Sequence, residues 1–396
     1  MFIDLGGTVR AQTAKDTLAR LNPLLSIFGI TRVAAQEGLG DVKIPVSVCF
    51  RPNGRLLSTT QGKGITRDLA DVSAIMEAIE MFHAERLPPA DLIESVSSLR
   101  KSGKSFIDPA ALSMLPYQSL YTENDPIGWL FLNRLTDEQP ILVPRAYLDL
   151  NRAVPPAEIS TMALDASSNG LASGNTLDEA LIHGLYELIE RHCITEYMKL
   201  DVAARKARTL DLATIQSVPH IEELMKRIDE GGLNLAVRTI HGPLGMPAYK
   251  VFVQARDPIS RTAGNVGFGA HYLPEVALSR AITEAIQSRV TEITGTRDDF
   301  FPWQYLHLDP AAAEYLPAGE STPSGKLDWR DAPRAPEFSS FAEVLQWTLE
   351  LLKRHGFKDT CFFDHRRPEF GGIPVVSVVS PDLLFDRKLL HGDDRG

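Results

Sequence analysis

The chain has 396 residues, 44% of them hydrophobic and 23% charged, with a formal net charge of -10. It has no low-complexity tract that would mark disorder, no basic run of the kind nucleic acid needs, and no stretch of about 18 apolar residues that could span a membrane. Cys49, Cys193 and Cys361 are odd in number and too scattered for a metal knuckle, and Met1 to Arg10 lacks the features of a signal peptide, so a cytoplasmic protein without disulfides is expected.

In chain order, Thr13 to Phe28 predicts an amphipathic helix closed by Gly29, with Leu18, Leu21, Leu24 and Leu25 inward. Ile30 to Ala34 and Ile44 to Phe50 read as strands, and Arg51-Pro52-Asn53-Gly54 as a turn returning through Arg55 to Thr60. Gln61-Gly62-Lys63-Gly64 reads as a turn leading into a helix over Asp68 to Arg86. A lysine between glycines invites comparison with a P-loop, but that motif needs a glycine where Leu57 stands and a Ser or Thr where Gly64 stands. Backbone amides beside a helix start can still approach phosphate closely. Pro88 to Arg152 alternates apolar runs, such as Trp129 to Leu132 and Ile141 to Pro144, with prolines, which predicts mixed strands and connections.

The polar loop from Ser167 ends in a helix start near Thr176, where Thr176 and Glu179 form a capping-box pattern. On that helix Glu179, His183, Glu187 and Glu190 project within one stripe beside an apolar face built from Leu177, Ala180, Leu181, Leu185, Leu188 and Ile189. A solvated face would usually interleave lysines, whereas stacked acids beside an apolar face suit a divalent cation. Further on, a helix is expected over Ile215 to Glu230 and strands over Leu235 to Ile240 and Ala248 to Gln254. Asn265 to His271 reads as a second glycine loop, and Pro274 opens a third helix with Arg280, Glu284, Gln287 and Thr291 on one face and Arg289 nearly opposite. Residues 318–338 read as a surface insertion or linker, Phe341 to Arg354 as a helix, Ile373 to Val379 as a buried strand, and 383–396 as a mobile tail.

One pattern recurs in three helices: Glu77-Ala78-Ile79-Glu80, Glu187-Leu188-Ile189-Glu190 and Glu284-Ala285-Ile286-Gln287, preceded four positions earlier by Ser73, His183 and Arg280. Glu-x-x-Glu is common on exposed helices, but the flanking residues here are almost entirely apolar, which favours three walls of one charged site. Magnesium bound with a nucleotide takes one or two protein carboxylates. So many acids therefore imply two or three ions around a triphosphate, with Arg191 and Lys63 as phosphate partners and Arg280 as a cationic neighbour. The irregular alternation of strands and helices predicts an α+β fold rather than a doubly wound parallel sheet. From the residues alone, the function expected is that of an ATP-dependent enzyme without a P-loop.

Gly29-Ile30-Thr31-Arg32-Val33, Gln61-Gly62-Lys63-Gly64, Ser73 with Glu77 and Glu80, Gly170 to Ala180, Glu187-x-x-Glu190-Arg191 and Ala281-x-x-Glu284-Ala-x-Gln287-Ser-Arg289 together resemble the YcaO family, in order over roughly residues 10 to 380. The resemblance implies a homodimeric module spanning 1–396, with mixed and antiparallel sheets and helices lining a central nucleotide site. It implies binding of ATP and Mg2+ and activation of a peptide backbone amide by O-phosphorylation, during maturation of a ribosomally made peptide. By the same resemblance, Glu77, Glu80, Glu187 and Glu190 fall at magnesium positions, and Arg10, Thr17, Ser73, Asn175, Glu179, Arg191 and Gln287 at nucleotide positions, to which Lys63, Arg280 and Glu284 are added as neighbours. No catalytic base suggests itself, since His83, His183 and His192 sit at positions that are more often structural.

Azoline-forming members commonly end in a proline-alternating tail, whereas this chain ends Leu390-His391-Gly392-Asp393-Asp394-Arg395-Gly396 and shows no fused leader-binding domain. That is similar to stand-alone members that install thioamides with a TfuA-like partner. The partners expected are a precursor peptide, a TfuA-like protein and a separate leader-binding protein. The rival readings are an azoline- or amidine-forming enzyme of the same fold and a non-catalytic subunit that binds ATP or peptide.

Overall fold

The computed structural model describes residues 2–36, 42–112, 121–137, 139–153, 164–257, 264–295, 297–298, 325–383 and 385–386. It begins with a short hairpin, β1 (Ile3–Asp4) and β2 (Val9–Arg10), followed by α1 (Ala14–Leu21), whose start is capped by the Thr13 side chain. The helix expected to reach Phe28 stops at Leu21, because Pro23 lacks an amide donor. A 3-10 turn over Asn22–Leu24 and further turns then lead to Gly29, at φ +70°.

Next come β3 (Arg32–Ala35), β4 (Val46–Phe50) and β5 (Thr59–Lys63), an antiparallel sheet in the order β3-β4-β5, with α2 (Arg67–Ala84) lying across it. The middle of the chain supplies β6 (Leu92–Glu94), α3 (Val96–Ser102), β7 (Ile127–Arg134), β8 (Pro140–Pro144), α4 (Arg145–Leu148), β9 (Leu171–Ser173), α5 (Leu177–Met198), α6 (Val202–Ala207) and α7 (Pro219–Glu230). The remainder is β10 (Leu233–Thr239), β11 (Ala248–Ala255), β12 (Asn265–Ala270), α8 (Pro274–Thr294), α9 (Phe341–Arg354), β13 (Cys361–Asp364) and β14 (Val375–Val379). Strands β10-β11-β12 form a second antiparallel sheet. A third runs β6-β7-β13-β14-β9, with β8 paired to β7. This is the expected α+β architecture of mixed helices and antiparallel sheets. Among the described residues no helix is long and apolar enough to cross a membrane.

Three strand–helix units, β5–α2, β9–α5 and β12–α8, share one spacing. Gly62, Ser73, Glu77 and Glu80 in the first correspond, at identical intervals, to Ala172, His183, Glu187 and Glu190 in the second and to Gly269, Arg280, Glu284 and Gln287 in the third. Each of the three strands is the outermost of its sheet. Gln61 to Gly64 and Asn265 to His271, expected as turn and loop, are mostly strand. Their glycines serve close helix packing rather than a bend: a Cβ on Gly62 would overlap Ala70 O and Ala74 N, and one on Gly269 would overlap Ala277 O and stand 2.7 Å from Ala281 N.

The helices bury their other faces in separate cores. The apolar side of α8 packs with α7 and the sheet β10-β11-β12, that of α5 with α9 and β14, and that of α2 with α1 and β14. Of the expected insertion, 318–324 lie outside the described residues, while Trp329 is buried at 3% exposure and stacks on Tyr249. Of the expected tail, 384 and 387–396 lie outside the described residues, and Leu383 is buried.

Gly62→Ala and Gly269→Ala should each destabilise the protein by about 1–3 kcal/mol through overpacking. Gly242→Ala, where a Cβ would meet nothing within 4 Å, should leave the denaturation midpoint nearly unchanged, and chemical denaturation of the three variants checks the ranking.

Candidate active site

The three units converge on a cavity of about 260 Å³ roofed by the β1–β2 hairpin. Arg10, Thr17, Lys63, Ser73, Glu77, Glu80, Asn175, Glu179 and Arg280, all singled out by sequence, line it. Glu187, Glu190, Arg191, Glu284 and Gln287 do not line its wall and form a second polar layer beside it. In that layer Lys63 Nζ lies 2.6 Å from Glu284, and Arg191 lies 3.7 Å from Glu187 and 3.9 Å from Glu190. Arg289, on another side of α8, is buried at 3% exposure and is not part of the cavity wall.

The rim position of β9 and β12 bears on how Glu187, Glu190 and Glu284 are held. An edge strand presents unpaired amides, and here helix carboxylates accept from those of β12 and from Gly170 just before β9. The Gly170 amide donates to Glu187 at 3.1 Å, Ala270 to Glu190 at 3.2 Å and Phe268 to Glu284 at 3.2 Å. Glu179 accepts from the amides of Asn175 and Ala11 at 3.2 and 3.3 Å, which ties the chain after β2 to the start of α5. Ser173 Oγ donates to Glu80 at 2.6 Å, and Gln287 Nε2 donates to the Gln61 carbonyl at 2.9 Å.

The residues that follow Gly62, Ala172 and Gly269 each reach the helix of a different unit. Lys63 meets Glu284 of the third, Ser173 meets Glu80 of the first, and the Ala270 amide meets Glu190 of the second. The contacts close a ring around the site.

Burial governs the charges. It raises Glu77 to about 7, where Arg297 and Lys63 oppose it, and Glu80 to about 8, with Glu77 and Glu187 adding repulsion. Burial and Glu284 raise Glu190 to about 7, and burial also lifts Glu187. Glu284 is the exception: burial pushes it up, but Lys63 and Arg191 together pull it below the usual carboxylate range.

Burial lowers Arg10 to about 10 against the pull of Glu179, and holds His183 well below its ordinary value with help from Arg10 and Arg280. His183 Nδ1 donates to the Ser173 carbonyl at 3.2 Å, which leaves Nε2 to accept from Arg10. Cys193 is buried and its thiol is raised to about 11, so it serves packing rather than reactivity.

These residues fit a magnesium–nucleotide complex. The carboxylates lifted by burial and mutual repulsion outnumber the cations beside them, and among the described residues Arg191 Nε and Arg280 Nε are buried without a hydrogen-bond partner, as donors suited to an anion would be. Among the described residues no three His, Cys, Asp or Glu side chains come together as an all-protein metal cage. An ion that shares its ligands with phosphate oxygens and water needs no such cage.

Sequence reading missed several groups on the wall. The Gly6-Gly7-Thr8 tip, Ser279 and Thr283 line the cavity, while His183 lines it as its place on the polar stripe of α5 suggests. The Gly6-Gly7 dipeptide was a usable signal for a tight hairpin. Nothing local marked Ser279, against which Gly7 packs too closely for any side chain.

Because Glu80 titrates higher in the folded chain than unfolded, its protonated form favours the fold. Without metal, that contribution is complete below about 4.5 and is lost as the pH rises through about 8. Glu80→Gln, which keeps the acceptor for Ser173, should therefore gain in melting temperature relative to wild type as pH rises across this window. Melting curves in chelator would show it, and a constant difference would refute the assignment.

A family model described as YcaO cyclodehydratase, ATP- and Mg2+-binding, matches residues 61–384. An uncharacterized protein in the tfuA 3′ region of Rhizobium leguminosarum bv. trifolii is 36% identical over 385 residues, covering 95% of this chain and 89% of that protein. YcaO from Methanopyrus kandleri, bound with AMPPCP and Mg2+, has a similar fold at a TM-score of 0.75 and 22% identity, covering 98% of this chain and 96% of that one. A heterocyclase in complex with substrate and cofactor matches at a TM-score of 0.76 and 21% identity over 96% of this chain, which spans 54% of the heterocyclase chain. With a family model across most of its length and a fold shared with solved YcaO structures, the chain belongs to the ATP- and Mg2+-binding YcaO family.

Proposed function

We propose that this chain activates a peptide backbone amide by phosphorylating its oxygen at the expense of ATP, and that the product is a thioamide formed with a sulfur donor during maturation of a ribosomally made peptide. The observation that carries the first part is the crowding of buried acids in and beside one cavity, next to Arg280 and Arg191, whose buried Nε atoms have no hydrogen-bond partner among the described residues. The thioamide assignment is supported by the relative in the tfuA 3′ region, which also makes a TfuA-like protein the partner to test.

In this reading Glu77, Glu80, Glu187 and Glu190 hold magnesium, which supplies charge neutralisation at the phosphates. Thr17, Ser73, Asn175 and Arg280 contact the nucleotide from the cavity wall, and Arg191 steadies its phosphates from the second layer. Arg10 and Glu179 hold the hairpin roof to α5, and Gln287 fixes β5 against α8.

Hydrosulfide adds to the amide carbon, the resulting oxyanion takes the γ-phosphoryl group and releases ADP, and collapse to C=S expels phosphate while the sulfur loses its proton. Neutral His183 is held by Ser173 and Arg10 on both ring nitrogens, so it orients Arg10 rather than carrying that proton.

Glu187→Gln or Glu190→Gln should reduce ATP turnover by about two orders of magnitude or more while the circular dichroism spectrum stays native. Turnover at the wild-type rate in both variants would remove the magnesium assignment. Arg280→Met should weaken nucleotide binding, whereas Arg289→Met should lower thermal stability instead. The product is decided by intact-mass analysis of a precursor peptide incubated with this protein, a TfuA-like partner, ATP, Mg2+ and sulfide. Exchange of oxygen for sulfur is expected, and loss of one water would establish azoline or amidine formation in its place.

A further inference from the structure

The three units place different residues at one equivalent strand position: Lys63 after Gly62, Ser173 after Ala172 and Ala270 after Gly269. Only the first is a cation. Its ammonium crosses from β5 to α8 and makes a direct ion pair with Glu284 at 2.6 Å, while the second Glu284 oxygen accepts the Phe268 amide at 3.2 Å. Both oxygens of this carboxylate are thus engaged.

The acids on α5 are placed differently. One guanidinium, Arg191, is shared between Glu187 and Glu190 at the longer distances of 3.7 and 3.9 Å, a looser pairing than that of Lys63 with Glu284. Gly62 and Gly64 on either side of Lys63 let β5 lie tight against α2, since a Cβ on either would run into that helix, and from this close-packed strand the Lys63 side chain reaches α8. At the helix position of the second acid in the other two units, the third unit carries the neutral Gln287, which donates to the Gln61 carbonyl beside Lys63. The third wall is therefore complete in charge without any added ion.

We propose that Lys63 is a built-in cation that takes the place of a divalent ion at the third wall, with Glu284 as its anchor and not a metal ligand. The number of ions the site accepts is then set by the acid pairs of α2 and α5 alone, fewer than the full count of acids implies. This rests on the ATP–magnesium reading above, and it assigns Lys63 to charge balance rather than to phosphate contact.

The test counts Mn2+ bound per chain by equilibrium dialysis with electron paramagnetic resonance, at saturating AMPPCP. Relative to wild type, Lys63→Met should bind one further Mn2+, Glu284→Gln should keep the wild-type number, and the double variant Lys63→Met/Glu284→Gln should return to it. An unchanged count in Lys63→Met with AMPPCP still bound would overturn the proposal, as would loss of an ion in Glu284→Gln. Should Lys63→Met fail to fold, Lys63→Arg tests the same point, because it must keep the wild-type number and an added ion there overturns the idea. Wild-type protein that binds no Mn2+ with AMPPCP would instead overturn the metal–nucleotide reading itself.

Discussion

Several buried carboxylates share one small space in this protein, and the fold is organised around tolerating them. A buried charge without partners is costly, and like charges at close range add to that cost. Here backbone amides of the edge strand β12 and of the residues flanking β9 meet Glu179, Glu187, Glu190 and Glu284. A carboxylate on a helix satisfies an edge amide only where the helix lies close over a strand that no further strand covers. Glycines at Gly62 and Gly269, and strands placed at the rim of their sheets, follow from that need.

The three units repeat in spacing but not in chemistry. The first two carry acid pairs, while the third carries Arg280, Glu284 and Gln287 at the same intervals, so one side of the site is rich in carboxylate and the other holds donors. A nucleotide bound with magnesium is itself polar in this sense, with metal ions and phosphate oxygens to be matched on different sides. The buried Nε of Arg280, without a hydrogen-bond partner among the described residues, belongs to this asymmetry, and the hairpin that carries Arg10 closes the cavity over it.

His183 and the cysteines have quiet roles here. His183 is held neutral between Ser173 and Arg10, and the three thiols are buried. Catalysis in this reading is positioning and charge stabilisation around a phosphoryl transfer, which asks little of a general base.

The helices and their polar faces were legible in the sequence, because helix periodicity and capping are local. Thr176 caps α5 as its capping-box pattern requires, Phe341–Arg354 is helical over the span expected, and the repeated Glu-x-x-Glu pattern with its polar residue four positions earlier marked the three walls. The local pattern misled where a glycine was needed for close packing instead of for a turn, as in Gln61 to Gly64 and Asn265 to His271, since a Gly-rich stretch carries the same letters in both cases. Only the tertiary structure decided that Lys63 meets Glu284 and not the cavity alone, that Arg191 stands behind the wall, and that the Gly6-Gly7 hairpin roofs the site against Ser279. Each of these joins residues far apart in the chain, and such contacts are set by how sheets and helices stack, for which no short stretch of sequence carries a signal.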